Sequence, residues 1–264
     1  MNDFYEMVDK VKEEIDGFKG TCGVIIKNEN TGDCLQYNED VVFPAASIIK
    51  LSILLELFKK VDNGDINLQE RVVLKESEKV DGFGVLKELD CDVNLTIKDL
   101  ATLMIILSDN VATNKLIHIL DMESINNTIK ELGMKDTVLG RKMMDGEAKK
   151  KGLDNYTSAK DTLIMLEAYL NYSNVIKLSA KNRETILDIL KKQQCNNKLP
   201  LLMPKDISFG HKTGDLPGVE HDAGIIFSKI GQIIIIVLTK DLEKNTYGVQ
   251  LNNNIGKIVA EYCC

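Results

Sequence analysis

The chain reads as an α/β protein in which a five-stranded antiparallel sheet, flanked by helices, carries an inserted all-helical lobe. Three observations predict this. Strand-like segments lie near both ends of the chain, "TCGVIIKN" and "CLQYNED" early, then "DISFGHKTG", "GVEHDAGIIFS" and "GQIIIIVLTK" late. From Ser47 to about residue 193 the apolar residues recur at helical spacing. Helical patterns also open and close the chain. The simplest arrangement pairs early and late strands in one sheet with the terminal helices on it. Residues 1–45 and 194–264 then form the α/β lobe and residues 46–193 the helical lobe, with a site expected in the seam.

Taken in order, "MNDFYEMVDKVKEEIDGF" is a charged amphipathic helix without an apolar stretch of signal-peptide length. The turn "ENTGD" joins the first two strands, Asn30 and Gly32 supplying its chemistry. "SIIKLSILLELFKKVDNG" predicts a helix that starts at Ser47 and stops at Gly64. Further helices are expected over 97–107, 111–120, 122–132, 158–170 and 180–193, and a last one over 245–262.

Composition narrows the function classes. With 44% hydrophobic and 28% charged residues among 264, the chain is ordinary globular protein without a linker or repeat. Net charge is -7, and Arg71, Arg141 and Arg183 are the only arginines, so no nucleic-acid groove is expected. The six cysteines, Cys22, Cys34, Cys91, Cys195, Cys263 and Cys264, are not set at metal-ligand spacings; neither metal nor cofactor is expected. The longest apolar run, "IIFSKIGQIIIIVL", is interrupted by Ser228, Lys229, Gly231 and Gln232 and falls short of the roughly 18 residues of a membrane span. The chain as it stands reads as a cytoplasmic, reduced monomer; a leader removed from it would make it a secreted protein.

The chemistry concentrates in three short motifs. "FPAASIIKL" sets Ser47 and Lys50 three apart at a helix entry, where residues i and i+3 share a face. A serine hydroxyl needs a neighbouring base to become a nucleophile, and a desolvated lysine can be that base. Such a pair alone arises easily by chance. Two more motifs follow: Ser108-Asp109-Asn110 at a helix end, and Lys212-Thr213-Gly214 at what reads as the end of a strand. Their order, with separations of 61 and 104 residues, resembles class A β-lactamases and penicillin-binding proteins across essentially the whole chain.

That resemblance implies a serine hydrolase whose partner is a small-molecule β-lactam or related acyl donor. Ser47 would be acylated by a cyclic amide, with Lys50 helping to deprotonate it, and Ser108 would relay a proton to the leaving nitrogen. Asn110 would bond Lys50 and the substrate's side-chain amide. Lys212 and Thr213, with Gly214 beside them, would receive its carboxylate. The oxyanion would face the backbone N–H groups of Ser47 and Asp215. Phe83, in "GFG", would flank the substrate. Arg141 and Asp154, or Asn155, would close a loop by ion pairing. Alternative readings are a penicillin-binding peptidase or esterase, and a non-catalytic β-lactam sensor that is acylated once and held.

The sequence also departs from the family. The loop glutamate that serves hydrolysis of the acyl-enzyme lies two residues beyond the arginine, and here that position is Met143; Asp145 and Glu147 are the nearest carboxylates. Asp215 and Glu220 lie close to the carboxylate-binding end and should weaken anionic ligands, leaving Lys212 and His221 to compensate. Tyr172-Ser173-Asn174 imitates a motif of class C enzymes but lies too far along the chain, and it is read as a surface turn.

Overall fold

The computed structural model describes residues 3–90 and 93–264. Helix α1 (Phe4–Asp16) leads into strands β1 (Thr21–Asn28) and β2 (Cys34–Tyr37). The short strand β3 (Phe43–Pro44) precedes a 3₁₀ turn (Ala46–Ile49) and helix α2 (Lys50–Asp62). Strands β4 (Arg71–Leu74) and β5 (Val93–Thr96) come next, then helices α3 (Ile97–Ile106), α4 (Asn110–Leu120), α5 (Met122–Glu131) and the short α6 (Gly146–Lys150). Strand β6 (Tyr156–Thr157) and helices α7 (Ala159–Tyr169) and α8 (Ala180–Lys191) complete this part. Strands β7 (Ser208–Leu216), β8 (Val219–Ser228) and β9 (Gly231–Lys240) and helix α9 (Asn245–Cys263) close the chain.

The expected sheet is present, antiparallel throughout, in the order β2-β1-β9-β8-β7. Alternate side chains go to opposite faces of a strand. Val24 and Ile26 of β1 therefore join Ile233, Ile235 and Val237 of β9 beneath α1 and α9, whereas Ile25, Ile234, Ile236 and Leu238 meet the helices of the other side. Both faces are covered, which is why "IIIIVL" runs apolar without alternating. Helix α2 is apolar nearly all round, with Leu51, Ile53, Leu54, Leu55, Leu57 and Phe58 buried, and it forms the axis around which the other helices pack.

Three expectations need correction. The stretch 46–193 is not purely helical: β4 pairs with β5 and β3 with β6 in two small ladders too short to show a period. Ser47 does not open an α-helix. It sits in the 3₁₀ turn, and α2 begins only at Lys50, with Ala46 before it at φ 46°. In a 3₁₀ turn side chains three apart eclipse, so the turn brings Ser47 and Lys50 onto one face more closely than an α-helix does. Finally, Lys212-Thr213-Gly214 lies within β7, which continues to Leu216, because β8 pairs with it along its length.

Candidate active site

The first two motifs reach one cavity of about 340 Å³ through Ser47 and Asn110, while Lys212, Thr213 and Gly214 do not line it and the next residue, Asp215, does. Ser47 lines it together with Gly82, Phe83, Asn110, Met143 and Asp215. Strand β7 reaches Ser47 because residue 214 is glycine: a Cβ there would stand 3.3 Å from Ser47 N and 3.2 Å from Ala46 Cβ. This approach sets the Asp215 end of the strand beside the serine. On the opposite wall Gly82, at φ +88°, leaves room for the Asn110 amide, which a Cβ would meet at 2.5 Å. Asp109 caps α4 by accepting from Ala112 N and ties the loop to it by accepting from Val85 N and Leu86 N.

Below the cavity floor lies a compact polar cluster centred on Ser108 Oγ. Ser47 Oγ is 2.8 Å from it, Lys50 Nζ 3.0 Å and Lys212 Nζ 3.1 Å. Lys50 Nζ also donates to Ser108 O at 2.7 Å and Asn110 Oδ1 at 3.0 Å. Among the described residues its bonds thus run to Ser108 and Asn110, and it reaches Ser47 through Ser108, not directly. Both lysines are fully buried. Burial, with the charge of Lys212 added to it, holds the Lys50 amine well below its usual range. Burial alone is the main cause that brings Lys212 down to about 8. Ser108 keeps its place at a left-handed φ of 54°, and Ala46 and Met144 at the cavity wall are left-handed too. Strain of this kind persists only where packing over-determines it. Thr213 Oγ1, beside Lys212 in sequence, is buried without a hydrogen-bond partner.

The loop over 140–155 forms the remaining wall. Arg141 Nε donates to Asp154 Oδ1 at 2.8 Å, and Asn155 Oδ1 accepts from Gly140 N and Arg141 N, so these contacts tie the two ends of the loop together. Met143 is pinned by a residue the sequence reading missed: Asn114 accepts from Met143 N at 2.8 Å and donates to Met143 O at 3.0 Å. Asn114 lies four residues beyond Asn110 on α4, so helical spacing from the motif was the available signal.

Several expected site residues lie elsewhere. Asp145 and Glu147 do not line the cavity; Asp145 caps α6 by accepting from Ala148 N, and Glu147 pairs with Lys150 in solvent. His221 is buried behind the strand, its Nε2 2.8 Å from Pro44 O and its Nδ1 accepting from Thr239 N. Burial lowers it to about 4, so it is neutral and cannot offset the carboxylates. That charge is supplied by Lys198, missed in the sequence, whose ammonium is buried against Asp215 and Glu220. Tyr172-Ser173-Asn174 forms a turn in which Ser173 Oγ accepts from Val175 N and Ile176 N, away from the cavity. Cys91 lies outside the described residues; the other five cysteines are free. Among the described residues no His, Cys, Asp or Glu cluster fits a metal, and no helix is long and apolar enough to cross a membrane.

The family model described as "Beta-lactamase enzyme family" matches residues 6–263. The β-lactamase VEB-1 of Pseudomonas aeruginosa is 22% identical over 96% of this chain and 89% of its own. The crystal structure of a β-lactamase from Sphaerobacter thermophilus superposes with a TM-score of 0.88 at 30% identity, covering 99% of this chain and 98% of that one. PBP-A superposes at 0.86 with 28% identity, covering 98% and 96%; a variant of PBP-A, 29% identical at a TM-score of 0.85 over 97% and 95%, is an acyl-enzyme complex with penicillin G.

Proposed function

Because the chain belongs to the beta-lactamase enzyme family, we propose that it opens β-lactam rings, or a related acyl donor, through an acyl-enzyme at Ser47, and that release of the acyl group is slow. The observation that carries the first half is the set of three neighbours around Ser108 Oγ. A hydroxyl has one proton to give and two lone pairs to accept with. Charged Lys212 can only donate to it. In the structure Lys50 Nζ and Lys212 Nζ both donate to Ser108 Oγ, which gives its own proton to Ser47 Oγ, so every position on Ser108 is filled and one chain of hydrogen bonds joins the serine to both amines. For Ser47 to lose its proton the chain reverses: Lys50 Nζ accepts from Ser108 Oγ, and Ser108 accepts from Ser47. Burial, with Lys212 beside it, lowers the Lys50 amine and so favours that reversal.

The reaction then balances. Ser47 Oγ bonds to the ring carbonyl carbon while its proton passes through Ser108 Oγ to Lys50 Nζ. The carbonyl oxygen becomes an oxyanion facing the backbone N–H groups of Ser47 and Asp215. As the amide C–N bond breaks, the leaving nitrogen takes a proton from Ser108 Oγ, which is replenished from Lys50. Phe83 flanks the substrate's path, whereas Thr213 and Gly214 are buried behind the cavity lining.

The second half rests on Met143. Hydrolysis of the ester needs a base for water, and the cavity wall offers an apolar side chain there. The carboxylates that do line the cavity, Asp154 and Asp215, are each ion-paired. This favours a penicillin-binding mode, in which the acyl-enzyme accumulates, over rapid turnover. A time course of intact mass with benzylpenicillin tests both halves: one adduct per chain is expected, mapping to the Ser47 peptide, absent in Ser47→Ala and decaying slowly. An adduct that survives Ser47→Ala overturns the nucleophile; no accumulation despite fast hydrolysis overturns slow release.

A further inference from the structure

Asp215 and Glu220 stand opposite each other across β7 and β8 and share one cation. Lys198 Nζ lies 2.8 Å from Asp215 Oδ1 and 2.5 Å from Glu220 Oε2, and it also donates to Gly214 O at 3.0 Å and His221 O at 3.1 Å. An ammonium has three N–H groups, and four acceptors surround this one. Among the described residues the acceptor left without a hydrogen bond is the buried Glu220 Oε2. Glu220 is buried and anchored a second time by Asn245 Nδ2 at 2.7 Å, whereas the Asp215 side chain is 30% exposed and lines the cavity beside Ser47.

The other charged side chains of the cavity wall, Arg141 and Asp154, are bound to each other and are 12% and 17% exposed. Lys198 and Lys212 are wholly buried. A ligand reaching toward β7 therefore meets a carboxylate, while the ammonium that neutralises it is out of reach. Opposed carboxylates repel in a partly desolvated cleft, whereas an N–H donor there gains a charge-assisted hydrogen bond.

We propose that Asp215 is a specificity-determining residue that selects acyl donors presenting an amide or ammonium N–H at this end of the cavity and discriminates against a free carboxylate. The proposal rests on the reading of Ser47 as nucleophile. It gives the site a substrate class: acyl donors whose end beyond the scissile bond is amidated or aminated. Rejection is carried by one side chain, so one substitution should reverse it.

The test measures binding apart from acylation. Benzylpenicillin, its carboxamide and its aminoethyl amide are titrated by calorimetry into the Ser47→Ala variant, alone and combined with Asp215→Asn or Asp215→Glu. With Asp215 present, the amides are expected to bind at least about tenfold more tightly than the acid. Asp215→Asn should collapse that ratio toward one, and Asp215→Glu should retain it; the aminoethyl amide separates an ammonium preference from a preference for any N–H. Equal or tighter binding of the acid, a ratio unmoved by Asp215→Asn, or no binding of any of the three overturns the proposal. Failure of the wild-type chain to form an adduct at Ser47 overturns the nucleophile and leaves the binding ratio to decide the specificity.

Discussion

Two walls of the same cavity are built on opposite principles. The wall formed by Ser47, Ser108 and β7 sets two fully buried lysines and the Ser47 hydroxyl within hydrogen-bond reach of Ser108 Oγ. The wall formed by the 140–155 loop is just as firmly held, by Arg141–Asp154, Asn155 and Asn114, yet turns Met143 toward the cavity. Rigidity is common to both; the buried amines gather at the first, and where the proposed mechanism needs a second base the loop holds Met143.

The sharpest way to break this contrast is to disable the equipped wall. Lys50→Ala should slow acylation by about 10²- to 10⁴-fold, the usual worth of a positioned general base, in stopped-flow measurements with a chromogenic β-lactam. A rate near that of wild type would mean that the buried amine is not the base. On the unequipped wall, if a competent enzyme turns over at about 10 s⁻¹ and a missing base removes about 10²- to 10⁴-fold, release should run at roughly 0.1 to 0.001 s⁻¹. The same traces should then show a burst near one equivalent and a slow steady phase. Because Asn114 holds the residue 143 backbone from both sides, Met143→Glu should direct a carboxylate into the cavity and raise the steady rate by about tenfold or more. No increase would show that the loop does not seat a water between that carboxylate and the ester.

A smaller effect concerns pH. Lys212, brought down to about 8 by burial, is charged below that pH and loses its proton above it. The acylation rate should therefore fall on the alkaline side of about 8, by at most about tenfold per unit, and Lys212→Arg, which stays charged, should flatten that limb. The linkage to stability has the opposite sign. With a folded pKa of about 8 against the usual 10.5 of a lysine, the unfolded chain binds more protons between those values, so this residue makes the fold more stable as pH rises from about 8. Comparing urea unfolding of wild type and Lys212→Met across that window isolates the contribution. Smallest is the expected effect of Arg141→Ala, which leaves Asp154 the Lys149 ammonium 3.9 Å away and the bond from Asn155 N; about 1–3 kcal/mol should lower the melting temperature by several degrees.

The sheet was legible because its signals are local: β1 and β9 coincide with "TCGVIIKN" and "GQIIIIVLTK". The three motifs that meet around Ser108 Oγ were legible because short spacings carry them. Lys198 and Asn114 were not, since a lone lysine in "NNKLP" or an asparagine in a helix gains meaning only from partners brought by the fold. His221 was misjudged for the same reason: period-2 alternation does not tell which face of a doubly covered sheet holds the site, and its ring went to Pro44 and Phe43. Asp145 and Glu147 were plausible by proximity in sequence, but one is spent capping a helix and the other points to solvent.

The pairing of β1 with β9 also constrains how the molecule is made. Residues 21–28 find their partners at 233–240, so nearly the whole chain must be present before the sheet can close. Until then Val24, Ile25 and Ile26 wait with one edge unpaired. Non-local pairings of this kind slow folding and expose apolar strand edges to other chains. The step that joins the two ends of the chain is therefore where refolding should be slowest and most sensitive to protein concentration, and the site on β7 takes its final form only once β8 and β9 are in place beside it.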